Sequence, residues 1–169
     1  MNTSTLIINE DFIKENSTVS DNLSDKLIKP SIIDAQISGL MPLIGEVLYD
    51  EICSRIENDD INDSYKQLID NYIKYYLLYQ TIANMTINNF QKQHNAGSVQ
   101  YVDTNYSNIQ LRELQYIETH WNNKAAFYAK RLTDYLIANN NIFPEYKTCE
   151  TGKMKSNEKT ITSYIGISL

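Results

Sequence analysis

Apolar residues recur every three or four positions along most of this chain, the spacing of helix faces. From Ser64 to Phe90 the stripe runs Tyr65, Leu68, Ile69, Tyr72, Ile73, Tyr76, Tyr79, Ala83, Ile87 and Phe90. From about Ile109 to Asn139 it runs Leu111, Leu114, Ile117, Trp121, Tyr128, Leu132, Tyr135 and Leu136. Each stripe predicts a long helix with one face turned to a core. Asn139-Asn140-Asn141 ends the second helix, and Pro144 prevents its resumption.

Shorter helices are expected earlier. Asn9 can cap a brief one from Glu10, with acidic residues in its first turn. Ser20 or Asp21 can cap the next, which carries Leu23, Leu27 and Ile28. Pro30 kinks or restarts it, Ile33, Ile37 and Leu40 continue its stripe, and Gly39 to Pro42 breaks it. A further helix follows from Pro42 to Asn58, with Leu43, Val47, Leu48, Ile52 and Ile56 on one face. Asp63 or Ser64 then caps the long helix after a polar loop. The expected fold is mainly α, a small antiparallel bundle over residues 1–146.

Two segments do not fit a plain bundle. Residues 91–108 form a long inter-helix loop without helical pattern, and loops of that length inside compact domains are usually functional or disordered. Asn95-Ala96-Gly97 is turn chemistry, and Ser98 to Asp103 is rich in strand formers. Residues 147–169 read as a lysine-rich tether followed by a C-terminal β-strand extension. In that strand Ile161, Ile165, Ile167 and Leu169 share one side, and Thr160, Thr162, Tyr164, Gly166 and Ser168 the other. A lone strand leaves its backbone groups unpaired. A two-stranded ribbon in cis with Ser98–Asp103 would be only marginally stable. An edge donated by another chain is therefore favoured. The candidate interface residues are Val99, Tyr101, Val102, Lys153, Lys155, Ile161, Tyr164, Ile165, Ile167 and Leu169.

The length of 169 residues suits one domain. No apolar run is long enough for a membrane span, so no membrane partner is expected. The N-terminus lacks the basic and apolar regions of a signal peptide. Net charge is −6 but uneven. Residues 1–60 hold four basic and twelve acidic residues, and residues 61–169 hold eleven and nine. Such polarity suits head-to-tail contact between identical copies, although a solvated acidic surface would look the same.

Catalytic chemistry is hard to find. There is no HExxH, no pair of CxxC motifs, no phosphate-cradling glycine loop and no calcium loop. Cys53 and Cys149 lie far apart and are expected as isolated reduced thiols. Asp59, Asp60 and Asp63 cluster without the rest of a calcium motif. Glu46 and Asp50 are spaced for one helix face, where solvation is the simpler explanation than acid–base work. His94 falls in the loop and His120 beside Trp121, at the surface. The stripe Tyr65–Tyr72–Tyr76–Tyr79 is spaced as core rather than as a base-stacking platform, and some phenols would then need partners at the bundle edge. The basic residues do not form a nucleic-acid stripe. No enzyme, catalytic residue, metal or cofactor is expected.

One stretch, Lys29-Pro30-Ser31-Ile32-Ile33-Asp34-Ala35-Gln36 through Leu43-Ile44-Gly45-Glu46-Val47-Leu48-Tyr49-Asp50-Glu51-Ile52, resembles the head-to-tail connector (adaptor) proteins of tailed bacteriophages. In that family an I-x-x-A-Q helix leads through P-L-I-G into x-x-L-Y. The start Leu6-Ile7-Ile8-Asn9-Glu10-Asp11-Phe12, the helix Ala129 to Leu136 and the following Phe143-Pro144-Glu145-Tyr146 agree with it. The likeness covers most of residues 5–146. Abundant Asn, Ile, Lys and Tyr, all with A/T-rich codons, suit the neck ring proteins of crAss-like phages in that family. The resemblance implies a virion protein made in the host cytoplasm, forming a homo-oligomeric ring, commonly of twelve copies. The ring would dock under the portal protein and carry the next neck or tail protein. DNA would pass non-specifically through its lumen. The long loop and the tail would contact the portal and neighbouring subunits. The alternative is another helical neck or tail-completion protein, or a DNA-binding assembly protein.

Overall fold

Side-chain packing in a computed structural model turns the two long stripes into the centre of the protein. The structure describes residues 5–19, 25–90, 93–94, 97–98 and 111–146. These are mainly helical: α1 (Glu10–Asn16), α2 (Asp25–Asp34), α3 (Met41–Ile44), α4 (Glu46–Glu57), α5 (Asp63–Leu68), α6 (Lys74–Phe90) and α7 (Leu111–Ala138). Two π-helical segments join them without a break in the chain's helical course, Ala35–Leu40 after α2 and Ile69–Ile73 after α5. Gln93–His94 and Gly97–Ser98 pair antiparallel, with Gln93 opposite Ser98.

The helix starts follow local chemistry. The Asn9 side chain accepts from the Phe12 N–H, satisfying one donor that the first turn of α1 leaves open. Asn62, rather than Asp63 or Ser64, caps α5 by accepting from the Tyr65 N–H. Pro30 lies inside α2 without stopping it. The break expected at Gly39–Pro42 is also displaced. The π turn carries the chain through Gly39, Pro42 sits in the first turn of α3, and the reversal falls at Gly45. Gly45 has φ 85° and ψ 149°, a conformation that side chains disfavour.

α6 is the hub. It lies between α2 on one flank and α7 on another. Ring pairs fix the antiparallel sense of the α5–α6 and α7 hairpin. Tyr65 meets Phe143, Tyr72 meets Tyr135, and Tyr79 meets both Tyr128 and Trp121. As the first member advances, the second recedes. The core gathers Ile28, Ile32, Ala35, Leu40, Ile44, Leu48, Ile52, Leu68, Ile73, Leu77, Leu132, Leu136 and Phe143, all fully enclosed. Asn84 Nδ2 donates to Asp34 Oδ2 at 2.8 Å and ties α6 to the end of α2.

Gln36 is the buried polar residue that organises the N-terminal segment. Its Oε1 accepts from the Ile7 N–H at 2.9 Å. Its Nε2 donates to the Thr5 carbonyl at 3.0 Å and lies 3.1 Å from the Tyr49 hydroxyl. These bonds hold Ile7 and Ile8 in the core, and Thr5 Oγ1 adds a bond to Glu57. The alanine before it, Ala35, is fully enclosed. Close helix packing at Ala35 and segment-pinning at Gln36 are thus a local reason for that residue pair.

Candidate interaction surfaces

The predicted tyrosine stripe divides on folding. Tyr65 and Tyr76 are buried, while Tyr72 and Tyr79 stand at the seam between α6 and α7. The seam is a ladder of near-parallel rings. Tyr72 and Tyr135 stack at 4.2 Å, Tyr79 and Tyr128 at 5.1 Å, and Tyr75 and Tyr128 at 5.6 Å between centroids. Tyr79 also stacks on Trp121 at 6.1 Å. Such pairs contribute roughly 0.5–1.5 kcal/mol each beyond area burial.

Two cations rest on this ladder. Lys124 Nζ lies 4.8 Å from the Trp121 ring centre and 5.2 Å from that of Tyr79. The Arg131 guanidinium lies 5.5 Å from Tyr128, 5.7 Å from Tyr72 and 5.9 Å from Phe127. These distances fall within cation–π reach. Burial pushes the Tyr128 phenol up, Tyr79 adds to the rise, and Arg131 partly opposes it. Phe127 itself is 59% exposed, one turn from each cation along α7. Tyr116 and His120 continue the same exposed flank toward the start of the helix.

A second, unlike surface lies on α4. Glu46, Val47, Asp50, Glu51 and Ser54 recur at the spacing of one face. Val47, expected on the buried side, is 50% exposed; Leu48, Tyr49, Ile52 and Cys53 take the core positions instead. The helical period of α4 puts Val47 on the side away from those four. Glu51 pairs with Arg55 at 2.7 Å, and Arg55 stacks over Tyr65 at 4.3 Å. Glu46, Asp50, Lys124 and Arg131 make no ion pair among the described residues.

Other candidates from the sequence separate. The described residues bring together no group of three or more potential metal ligands, so Asp59, Asp60 and Asp63 do not converge. His120 is exposed and packs edge-on against Trp121 at 5.0 Å. Cys53 is enclosed beside Tyr49, and burial raises its thiol pKa. An open depression of about 640 Å³ is lined by Glu10, Asp25, Lys26, Lys29, Pro30 and Ile33. Lys14 and Asp25 pair nearby at 2.7 Å. Val99, Tyr101, Val102, Lys153, Lys155, Ile161, Tyr164, Ile165, Ile167 and Leu169 lie outside the described residues, as does Cys149.

Sequence periodicity placed the tyrosine stripe in the core and missed the two exposed faces on α7 and α4. The signal for the first was present. Lys124, Phe127 and Arg131 are spaced by three and four, on a flank the apolar stripe leaves free.

The described residues define a mainly helical protein, and no helix among them is long and apolar enough to cross a membrane. Residues 40–156 match the model of a family of unknown function (DUF6712), and the chain belongs to that family. The match includes α3 to α7 and leaves out α1, α2 and Gln36. No curated protein and no solved structure matches the chain.

Proposed function

We propose that this protein is a structural subunit of a phage neck. In this reading copies assemble into a ring that joins the portal to the tail and lets DNA pass through its lumen. One observation carries the reading most. A single helical subunit presents two exposed apolar centres, Phe127 between cations and Val47 among carboxylates, on different helices. A ring needs two unlike surfaces that meet head to tail and close. The resemblance of residues 5–146 to connector proteins agrees with this. The tail from residue 160 would add a strand to an edge supplied by a neighbour, the portal or the next neck protein.

The direct test is location. An epitope tag on this protein should label purified particles at the neck, between capsid and tail. Label elsewhere on the particle, or its absence from particles, would refute the reading. Removing residues 160–169 should lower assembly or DNA retention. Unchanged particles would sink the strand-addition part alone.

A further inference from the structure

On the ring-forming reading above, we propose which surfaces join one copy to the next. The face of α7 formed by Lys124, Phe127 and Arg131 docks on the face of α4 formed by Glu46, Val47 and Asp50 in a second copy. Three observations carry this. First, the charges are complementary. The α7 face offers two cations without carboxylate partners among the described residues, and the α4 face offers the Glu46 carboxylate and the outer oxygen of Asp50, whose Oδ1 is enclosed, without cationic partners there. Second, each face has an apolar centre too exposed to serve its own core, Phe127 at 59% and Val47 at 50%. An exposed ring ringed by charge is the pattern of an interface centre with a polar rim. Third, both faces are presented on rigid helical backbone. Arg131 is held by three rings and Lys124 by two, so their side chains lose less freedom on binding than free surface cations would.

The occupant is a second copy rather than a single-stranded nucleic acid. The rings of the ladder stack on each other across the seam, so their faces are already used. The carboxylate-rich α4 face would be left without a role by a polyanion. Two unlike patches also predict head-to-tail contact, not a two-fold dimer.

Site-directed cross-linking of the full chain tests this. In a Cys149→Ser background, Val47→Cys protein and Phe127→Cys protein are mixed at high concentration and oxidised. Both positions are exposed, so neither substitution threatens folding. The mixture should give a covalent dimer, and neither protein alone should give one. Adding Lys124→Glu and Arg131→Glu to the Phe127→Cys chain should cut the yield about tenfold or more, since like charges then face each other. Glu46→Lys in the Val47→Cys chain should recover part of it. A dimer from Phe127→Cys alone would mean an α7-to-α7 contact and overturn the proposal. So would an unchanged yield on charge reversal with lost retention of a single-stranded oligonucleotide, which would mark a nucleic-acid face. No cross-link in a protein that sedimentation shows to oligomerise overturns this interface and leaves the ring reading standing. No cross-link in a protein that never associates, with particles lacking it, removes both.

Discussion

Gln36→Leu removes a polar group that three partners depend on, and its effect follows from their geometry. The Ile7 N–H, the Thr5 carbonyl and the Tyr49 hydroxyl lie 2.9, 3.0 and 3.1 Å from the Gln36 amide. Each buried group left unpaired costs roughly 1–3 kcal/mol. Keeping the segment docked without its partners would therefore cost several kcal/mol. Releasing residues 5–8 instead exposes Ile7 and Ile8, at about 1.5–3 kcal/mol each. Release also returns about 1–2 kcal/mol of backbone entropy per residue. Release is the cheaper route: about 4–8 kcal/mol of entropy returned by four residues offsets about 3–6 kcal/mol of lost burial and about 3 kcal/mol of lost hydrogen bonding, so the loss is capped at about 1–2 kcal/mol. Urea unfolding followed by the fluorescence of Trp121, the single tryptophan, measures it. Amide exchange at Ile7 reports the release itself and should lose its protection while α6 keeps its own. A loss below about 1 kcal/mol with Ile7 still protected would refute the pinning role.

Three further outcomes are expected. Gly45→Ala should destabilise by about 1–3 kcal/mol in thermal or chemical unfolding, because its φ of 85° is costly for any side chain; a neutral change would mean the reversal tolerates another backbone. Gly39→Ala would place a Cβ 2.5 Å from the Tyr76 hydroxyl, so a loss of about 1–3 kcal/mol is expected, partly restored when Tyr76→Phe removes that oxygen. Strictly additive effects in that pair would rule out the contact. Burial pushes the Tyr49, Tyr65 and Tyr76 phenols from 10.0 to about 12, with the Glu145 carboxylate adding to the rise at Tyr65. Between those values the unfolded chain has lost protons that the native chain keeps, so stability should fall as pH rises from about 10 to 12. Absorbance at alkaline pH should show these phenols ionising only as the protein unfolds, and ionisation of all thirteen near pH 10 in folded protein would refute it.

Much of the fold is legible in the chain because helix faces have a fixed period. The stripes of Tyr65 to Phe90 and Leu111 to Leu136 predict α6 and α7, and Asn9 and its first acidic turn predict α1, since caps and amphipathic spacing act within a few residues. What local spacing cannot supply is the phase of a face after an irregular backbone. Val47 belongs to an apolar stripe by period, yet α4 turns Leu48, Tyr49, Ile52 and Cys53 inward and leaves Val47 half-exposed. The π turns at Ala35–Leu40 and Ile69–Ile73 add residues to a helical course without any composition to announce them. Gln36 looks like an ordinary polar helix residue, and only the return of Ile7 and Thr5 to its amide makes it a buried anchor. The charged faces are likewise tertiary. The residues of Lys124, Phe127 and Arg131 are fixed by sequence, but their exposure depends on which flank of α7 the aromatic ladder of α6 covers. Short-range periodicity determined that these helices exist; long-range packing decided which of their faces remained free to meet another molecule.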